Sequence, residues 1–129
     1  MTAPKRSPRE LQQFFSIGDV CELTGLKPHV LRYWESQFRF LSPAKNRSGN
    51  RVYQRREIEL ITLVKHLLYT EKFTIEGARR RIEHYRRTGQ LRAEARSALE
   101  REQIVDLLGQ LNEILEILDG NFPIEDPDQ

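Results

Sequence analysis

Apolar residues recur at helical spacing in several segments of this chain, and most of these segments begin at a residue that caps helices. In the stretch FSIGDVCELTG, Ser16 is a favourable N-cap, and Asp19 stands three residues later, where a capping box needs an acid. Gly25 follows and favours a left-handed helix terminus. This pattern predicts a first helix from about Ile17 to Thr24.

The stretch LKPHVLRYWESQF predicts a second helix close behind the first. Pro28 is tolerated in a first helical turn. The apolar positions after it lie three and four residues apart and form one stripe: Val30 or Leu31, Trp34 and Phe38. Two short helices joined by the turn TGLK indicate a helix-turn-helix. His29 and Arg32 fall on the face away from the stripe and Tyr33 lies at its edge, so these side chains are free to enter a groove.

The helical spacing breaks after the second helix, and the next residues have turn and strand character. A proline precedes the stretch KNRSGNRVY, in which residues 48–50 accept a positive φ and residues 51–53 favour a strand. We therefore predict a short β-hairpin, a wing, that carries the cationic side chains of Lys45, Arg47 and Arg51.

Two longer helices are predicted after the wing. Isoleucine, valine and leucine at helical spacing indicate a third helix from about Arg55 to Glu71. Thr74 is a favourable cap for a fourth helix, which runs to a glycine stop near Gly89. The fourth helix carries too many arginines for one face: Arg79, Arg80, Arg81, Arg86 and Arg87. We expect some of them, Arg79 and Arg80 among them, to contact phosphate, while others form a solvated face.

The last helical segment has the spacing of a coiled coil. Its apolar residues step by 3, 4, 3 and 4 positions, as a and d positions do over about two heptads: Ile104, Leu107, Leu111, Ile114 and Leu118. Two heptads are short, so we expect this seam to pair with a second copy of the chain, assisted by the preceding domain. Further apolar residues widen the stripe, so packing within the same chain stays an alternative: Val105, Leu108, Leu115 and Ile117.

Charge is distributed unevenly along the chain. Residues 1–92 contain 19 of the 21 Lys and Arg but only 9 of the 19 Asp and Glu. Residues 93–129 contain 2 cationic residues against 10 acidic ones. The basic part suits nucleic acid or an anionic membrane, whereas the acidic part, rich in Leu and Ile, cannot be the part that meets phosphate.

Composition excludes several classes of protein. With 129 residues, of which 38% are apolar, the chain has material for one modest core. The single cysteine, Cys21, forms no internal disulfide, and no apolar run has the length of a signal peptide or membrane span, so a cytoplasmic protein is expected. His29, His66 and His84 lack ligand spacing, and no nucleophile and base form a recognisable set. We therefore expect no metal, no cofactor and no enzymatic activity.

Two motifs give the chain a specific likeness. Residues 31–35, LRYWE, are followed by a proline and then by the wing motif formed by Gly49, Arg51 and Tyr53. In these motifs the chain resembles the DNA-binding domain of the MerR family of bacterial transcription regulators. It departs from the family at Asn50, where an aromatic residue is usual.

The resemblance covers about residues 14–88, and a dimerising coiled coil adds residues 91–119. It implies that Arg32 and Tyr33 contact DNA from the second helix, the recognition helix, and that Arg51 does so from the wing. It also implies that the protein distorts the DNA that it binds. We expect no effector-binding domain after the coiled coil.

The sequence thus predicts a mainly α fold: a winged helix-turn-helix of four helices with a short β-hairpin wing, followed by a dimerising coiled-coil helix. The predicted parts are a flexible basic tail at 1–13, a DNA-binding domain at 14–88, a dimerisation helix at 91–119 and a disordered acidic tail at 120–129. Free N–H groups at the helix start and two-donor arginine contacts are the expected DNA chemistry. The candidate DNA contacts are Ser16, His29, Arg32, Tyr33, Lys45, Arg47, Arg51, Arg79 and Arg80.

The expected function is sequence-specific regulation of transcription on the bacterial nucleoid. We expect a homodimer that binds a pseudo-palindromic site in double-stranded promoter DNA, with RNA polymerase as a further partner and with neither a membrane nor a small-molecule effector. One alternative is an architectural or excisionase-like DNA-bending protein. Another is a protein-interaction adaptor that does not bind DNA.

Overall fold

The computed structural model describes residues 13–120 of the 129-residue chain. The tails predicted at 1–13 and 120–129 therefore lie outside the described residues, apart from the inner end residue of each. Within the described part the chain is mainly helical, with five helices and a small antiparallel sheet. The predicted fold, a winged helix-turn-helix followed by a long helix, is confirmed.

Helix α1, Ile17–Thr24, begins and ends at the residues that the sequence indicates. Ser16 is its N-cap: the Ser16 Oγ accepts a hydrogen bond from the Asp19 N–H at 3.1 Å, and the Asp19 carboxylate accepts one from the Ser16 N–H at 3.0 Å. Gly25 ends the helix with a φ of 72°, a left-handed conformation that costs glycine no steric strain. Local sequence alone accounts for this helix.

Helix α2, Pro28–Gln37, is the second helix of the helix-turn-helix. Its N-cap, Lys27, makes no capping hydrogen bond with its side chain, and the proline at the start has no N–H that would need a partner. Leu31, Trp34 and Phe38 are buried, as the apolar stripe predicts. Because this stripe faces the core, the opposite side of α2 faces solvent.

The wing belongs to a three-stranded antiparallel sheet in the order β1-β3-β2. Its strands are β1 Phe14–Phe15, β2 Ala44–Lys45 and β3 Arg51–Gln54. The predicted hairpin is formed by β2 and β3, with Lys45 opposite Arg51. On its other edge β3 pairs with β1, where Phe15 lies opposite Tyr53. This second pairing is not predicted by the sequence pattern, and it anchors the base of the wing to the start of the fold.

Helix α3, Arg55–Lys65, continues into a five-residue π-helical segment, His66–Thr70. The sequence predicts one helix over nearly the same residues, and only the geometry of the last turn differs. A π-helical turn is wider than an α-helical one, which rotates the side chains that follow. Here the ring of Tyr69 lies against that of Trp34, with centroids 5.8 Å apart.

Helix α4, Ile75–Arg87, has the caps that the sequence indicates. The Thr74 Oγ1 accepts a hydrogen bond from the Gly77 N–H at 3.0 Å. After the helix, Gly89 has a φ of 74° and redirects the chain. The arginines of α4 are thus presented by a helix that is fixed at both ends.

Helix α5, Leu91–Leu118, is the longest helix of the described residues. The chain divides into two compact units within it, the first ending at Leu99 and the second beginning at Glu100. None of the helices in residues 13–120 combines the length and the apolar character needed to cross a membrane.

The first unit contains one hydrophobic core. Helices α1 to α4, strand β3 and the first turns of α5 all contribute to it. Its largest fully buried side chains are Tyr53, Phe38, Leu31, Ile61, Leu63, Leu67, Val20, Val64 and Thr62. The core therefore fixes the inner face of α2 and the central strand of the sheet in the same packed body.

Candidate nucleic-acid interface

The outer face of the recognition helix α2 carries the residues that the sequence assigns to it. His29, Arg32 and Tyr33 are exposed, and Tyr33 exposes 49% of its surface although it is aromatic. Within residues 13–120 the Arg32 guanidinium has no hydrogen bond or ion pair. Lys27, at the start of α2, is exposed as well. This face can donate hydrogen bonds to base edges without first breaking a bond inside the protein.

The turn of the wing is built around Asn46. The Asn46 Oδ1 accepts hydrogen bonds from the N–H groups of Ser48 and Asn50, each at 3.0 Å. The Gly49 N–H donates to the Asn46 carbonyl, and Gly49 adopts a φ of 81°. Because these bonds close the turn, its geometry does not require an aromatic residue at position 50.

Two cations flank Asn46 at the tip of the wing. Lys45 and Arg47 are exposed, and neither side chain has a hydrogen bond or ion pair among the residues that the structure describes. A cation that is already solvated and unpaired loses little when it moves onto a phosphate. Both residues therefore stand where a wing can contact the DNA backbone.

The N-terminus of α1 is partly occupied by its own capping box. The Ser16 hydroxyl and the Asp19 carboxylate each cap one N–H group, which leaves the N–H groups of Ile17 and Gly18 as donors. Those donors and the helix dipole favour an anion, whereas the Asp19 carboxylate repels one. The predicted phosphate contact at Ser16 stays a prediction.

Glu35 joins the recognition helix to the wing. Its side chain is only 10% exposed, and its carboxylate accepts a hydrogen bond from the Arg51 Nε at 2.8 Å. The Tyr53 hydroxyl donates to the other oxygen of the same carboxylate. Burial raises the pKa of the Tyr53 hydroxyl, and the bond to Glu35 raises it further, so this donor stays protonated.

Four of the five arginines of α4 have side-chain partners inside the protein: Arg79, Arg80, Arg81 and Arg86. The Arg79 guanidinium donates from Nε to the Gln37 carbonyl at 3.1 Å and from Nη2 to the Gln37 side chain at 3.3 Å. Arg80 is paired with Glu76 at 3.3 Å, and the Arg81 guanidinium lies 5.4 Å from the centre of the Phe73 ring. Arg79 therefore stabilises the end of α2, where carbonyl groups lack helical partners.

The seam residues of α5 lie on the surface of the single chain. Each of these residues is at least half exposed, from 50% at Leu111 to 76% at Leu118. The full set is Ile104, Leu107, Leu111, Ile114 and Leu118. The residues that widen the stripe are exposed too: Val105, Leu108, Leu115 and Ile117. Contiguous exposed apolar surface of this kind is typical of an interaction face.

The structure holds α2 and the wing together. The carboxylate of Glu35, on α2, accepts hydrogen bonds from Arg51 and Tyr53 of β3, and β3 pairs with the strand that contains Lys45. Sequence reasoning does not identify Glu35, Asn46, Gln37 or Lys27. Glu35 lies within the motif LRYWE, but its partners are 16 and 18 residues away and no local pattern indicates them. Arg79 is 42 residues from Gln37, so that contact too depends on the tertiary fold.

A helix-turn-helix whose second helix faces outward, with a hairpin wing bonded to it, defines a winged helix-turn-helix protein of the DNA-binding kind. Comparison with known families agrees. The model described as MerR HTH family regulatory protein matches residues 15–85. The chain belongs to the MerR family, as its two motifs indicate.

A curated relative supports the same assignment. The chain is 32% identical over 63 residues to the HTH-type transcriptional repressor CarA of Myxococcus xanthus. The match covers 48% of this chain and 22% of that repressor. It therefore concerns a part of the relative comparable in size to one DNA-binding domain.

Proposed function

We propose that this chain, a member of a family of transcription regulators, binds a pseudo-palindromic promoter site as a homodimer and distorts it. The observation that carries the proposal is the set of unpaired polar and cationic side chains on one packed unit. Arg32 and Tyr33 face outward from α2, and Lys45 and Arg47 stand at the tip of the wing that is bonded to α2. A nucleoid location follows from this activity.

Residues 14–88 act as the DNA-binding domain, with a division of labour between helix and wing. The recognition helix enters the major groove, where Arg32 can give two hydrogen bonds to a guanine edge, while His29 and Tyr33 contact neighbouring groups. Lys45 and Arg47 contact phosphates beside the groove and carry no sequence information.

Residues 91–119 act as the dimerisation helix. The exposed seam of α5 pairs with that of a second copy, which holds two recognition helices at a fixed separation. A two-fold symmetric protein reads two related half-sites, so the operator has two-fold symmetry. One short helix and one wing form a small interface, and the linked second copy raises affinity without new contacts.

The test is to map the binding sites of the purified chain on sheared genomic DNA of its own source. The expected result is a shared motif with two inverted half-sites, located within promoters. Inverted sites scattered without regard to promoters would instead identify an architectural DNA-bending protein. Absence of enriched DNA even at low salt would contradict DNA binding and favour an interaction adaptor.

A further inference from the structure

The contacts of Glu35 connect two elements that the DNA contacts require in a fixed relation. Glu35 follows Trp34 at the edge of the buried stripe of α2, which explains why its side chain is only 10% exposed. On β3, Arg51 and Tyr53 are two residues apart, so both side chains project from the same face of the strand. One carboxylate thus accepts a hydrogen bond from each of them.

We propose that Glu35 is a positioning residue that holds the wing on the recognition helix, and that Arg51 acts through Glu35 rather than on phosphate. This inference rests on the proposed DNA-binding function. It changes the role of Arg51, which the family resemblance assigns to the DNA.

Burial makes this set of contacts a specific one. A carboxylate removed from water needs hydrogen-bond donors, and within the described residues Glu35 obtains them from Arg51 and Tyr53. The hydroxyl of Tyr53 belongs to a ring that is 1% exposed, so its direction is fixed by the core. The core therefore fixes the orientation of Tyr53. The Tyr53 hydroxyl, together with α2, then orients the Glu35 carboxylate, and this carboxylate orients the guanidinium of Arg51.

Because Glu35 is negatively charged, its two possible roles predict opposite changes in DNA affinity when it is removed. A carboxylate beside a DNA-binding face repels phosphate, so its removal would strengthen binding if charge were its only effect. Removal of a positioning residue weakens binding to the preferred site in spite of that repulsion. The direction of the change therefore separates the two roles.

The experiment compares Glu35→Gln, Arg51→Gln and the double variant with the unaltered chain on the preferred site and on random DNA. Arg47→Gln is the matched control, because it removes the same charge from the same wing at a residue with no described partner. Salt dependence is measured for every variant. Far-UV circular dichroism and thermal unfolding identify a temperature at which every variant is folded, so that affinities can be compared there.

We expect Glu35→Gln to lose roughly tenfold in affinity for the preferred site, with random DNA bound no more weakly than before. Arg51→Gln should lose a similar factor without changing the salt slope. The double variant should lose no more than about twofold beyond either single one, because both remove the same contact. Arg47→Gln should lower the slope by about 0.9 and weaken both DNAs alike.

Two results would overturn the inference while leaving DNA binding intact. One is that Glu35→Gln binds the preferred site as tightly as the unaltered chain or more tightly. The other is that Arg51→Gln lowers the salt slope as Arg47→Gln does, which would make Arg51 a phosphate contact. If the unaltered chain prefers no DNA sequence at all, the proposed function itself fails and the inference fails with it.

Discussion

The cationic residues predicted to contact DNA fall into two groups, according to whether their side chains already have a hydrogen bond or ion pair within the protein. The side chains of Arg32, Lys45 and Arg47 have no hydrogen bond or ion pair among the described residues, whereas the other side chains bind acceptors of the protein: Arg51, Arg79 and Arg80. An arginine that already binds an acceptor has fewer donors left for phosphate and is held in one direction, whereas an unpaired one keeps all five. The unpaired group is therefore the better candidate for direct contact.

Arg32 is expected to read a base edge. Replacing it in Arg32→Ala should cost about 1 to 3 kcal/mol on the preferred site and reduce the preference at one base pair. Arg96→Ala, which removes the same charge from the first turns of α5, is the control. Titration of a set of single-base variants of the site checks this, and an equal loss on all of them would make Arg32 a phosphate contact.

Lys45 and Arg47 are expected to contact phosphate. Lys45→Ala should weaken binding to every sequence by the same factor and lower the slope of log K against log salt by about 0.9. Arg79→Ala is the comparison. Because the Arg79 side chain is already bonded to Gln37, its loss should change the salt slope less than the loss of Lys45 does. Affinity measured from low to moderate salt checks both, and an unchanged slope for Lys45→Ala would leave it a solvated surface charge.

Cys21 is expected to be a packing residue with low reactivity. Burial raises the pKa of its thiol, and the nearby Arg32 charge lowers it by less. Because the thiolate is the reactive form, the fraction available near pH 8 is smaller than for a free thiol. Labelling with a chromogenic disulfide should be slower for the folded chain than for the chain in denaturant, and equal rates would refute this.

Among the elements, helix ends were predictable and long-range pairings were not. The bounds of α1 follow from Ser16, Asp19 and Gly25, which act within a few residues of one another. The strand Phe14–Phe15 has only two residues, so no alternation could reveal it, and its partner β3 is distant in the sequence. The site follows the same rule: outward residues of α2 were predictable from spacing, whereas Glu35 depends on the tertiary fold.

The capping box of α1 is expected to contribute to stability. Ser16→Ala removes the acceptor of the Asp19 N–H and should lower the free energy of unfolding by about 1 kcal/mol. Ser48→Ala is a suitable control, because Ser48 uses its backbone N–H rather than its hydroxyl in the wing turn. Urea unfolding checks the difference. Equal destabilisation by the two variants would contradict a specific role for the cap.

At the scale of the whole molecule, the two tasks proposed for the chain fall on its basic part and on its acidic part. Unpaired cations lie on the packed first unit, whereas the exposed apolar seam lies in the acidic part of α5. Acidic side chains outside the seam repel phosphate, which agrees with the proposed division between DNA binding and dimerisation. The separation of charge therefore supports one face for DNA and another for a second copy.

The dimer is expected to depend on Leu111. Leu111→Glu places an unpaired carboxylate from each copy at the seam and should raise the Kd of the dimer by at least about 100-fold. Asn112→Glu adds the same charge next to the seam rather than in it and should leave the dimer intact. Analytical ultracentrifugation checks both variants, and circular dichroism confirms that the first unit remains folded.

Binding to DNA gives the second half of that test. The monomeric Leu111→Glu chain should bind a full operator no more tightly than a half operator, because the linked second contact is lost. A variant that stays dimeric would show that Leu111 does not lie in the dimer interface. Full-strength binding by a monomer would show that dimerisation does not determine affinity.

The central position of β3 separates the wing into a part that tolerates changes in length and a part that does not. A one-residue insertion or deletion within β3 would shift its register and turn Tyr53 away from the core. Residues 46–50 pair with neither β1 nor α2, and the turn closes on its own hydrogen bonds. The turn at residues 46–50 can therefore be replaced by a turn of another length, which would change how far the wing extends without altering the fold that supports it.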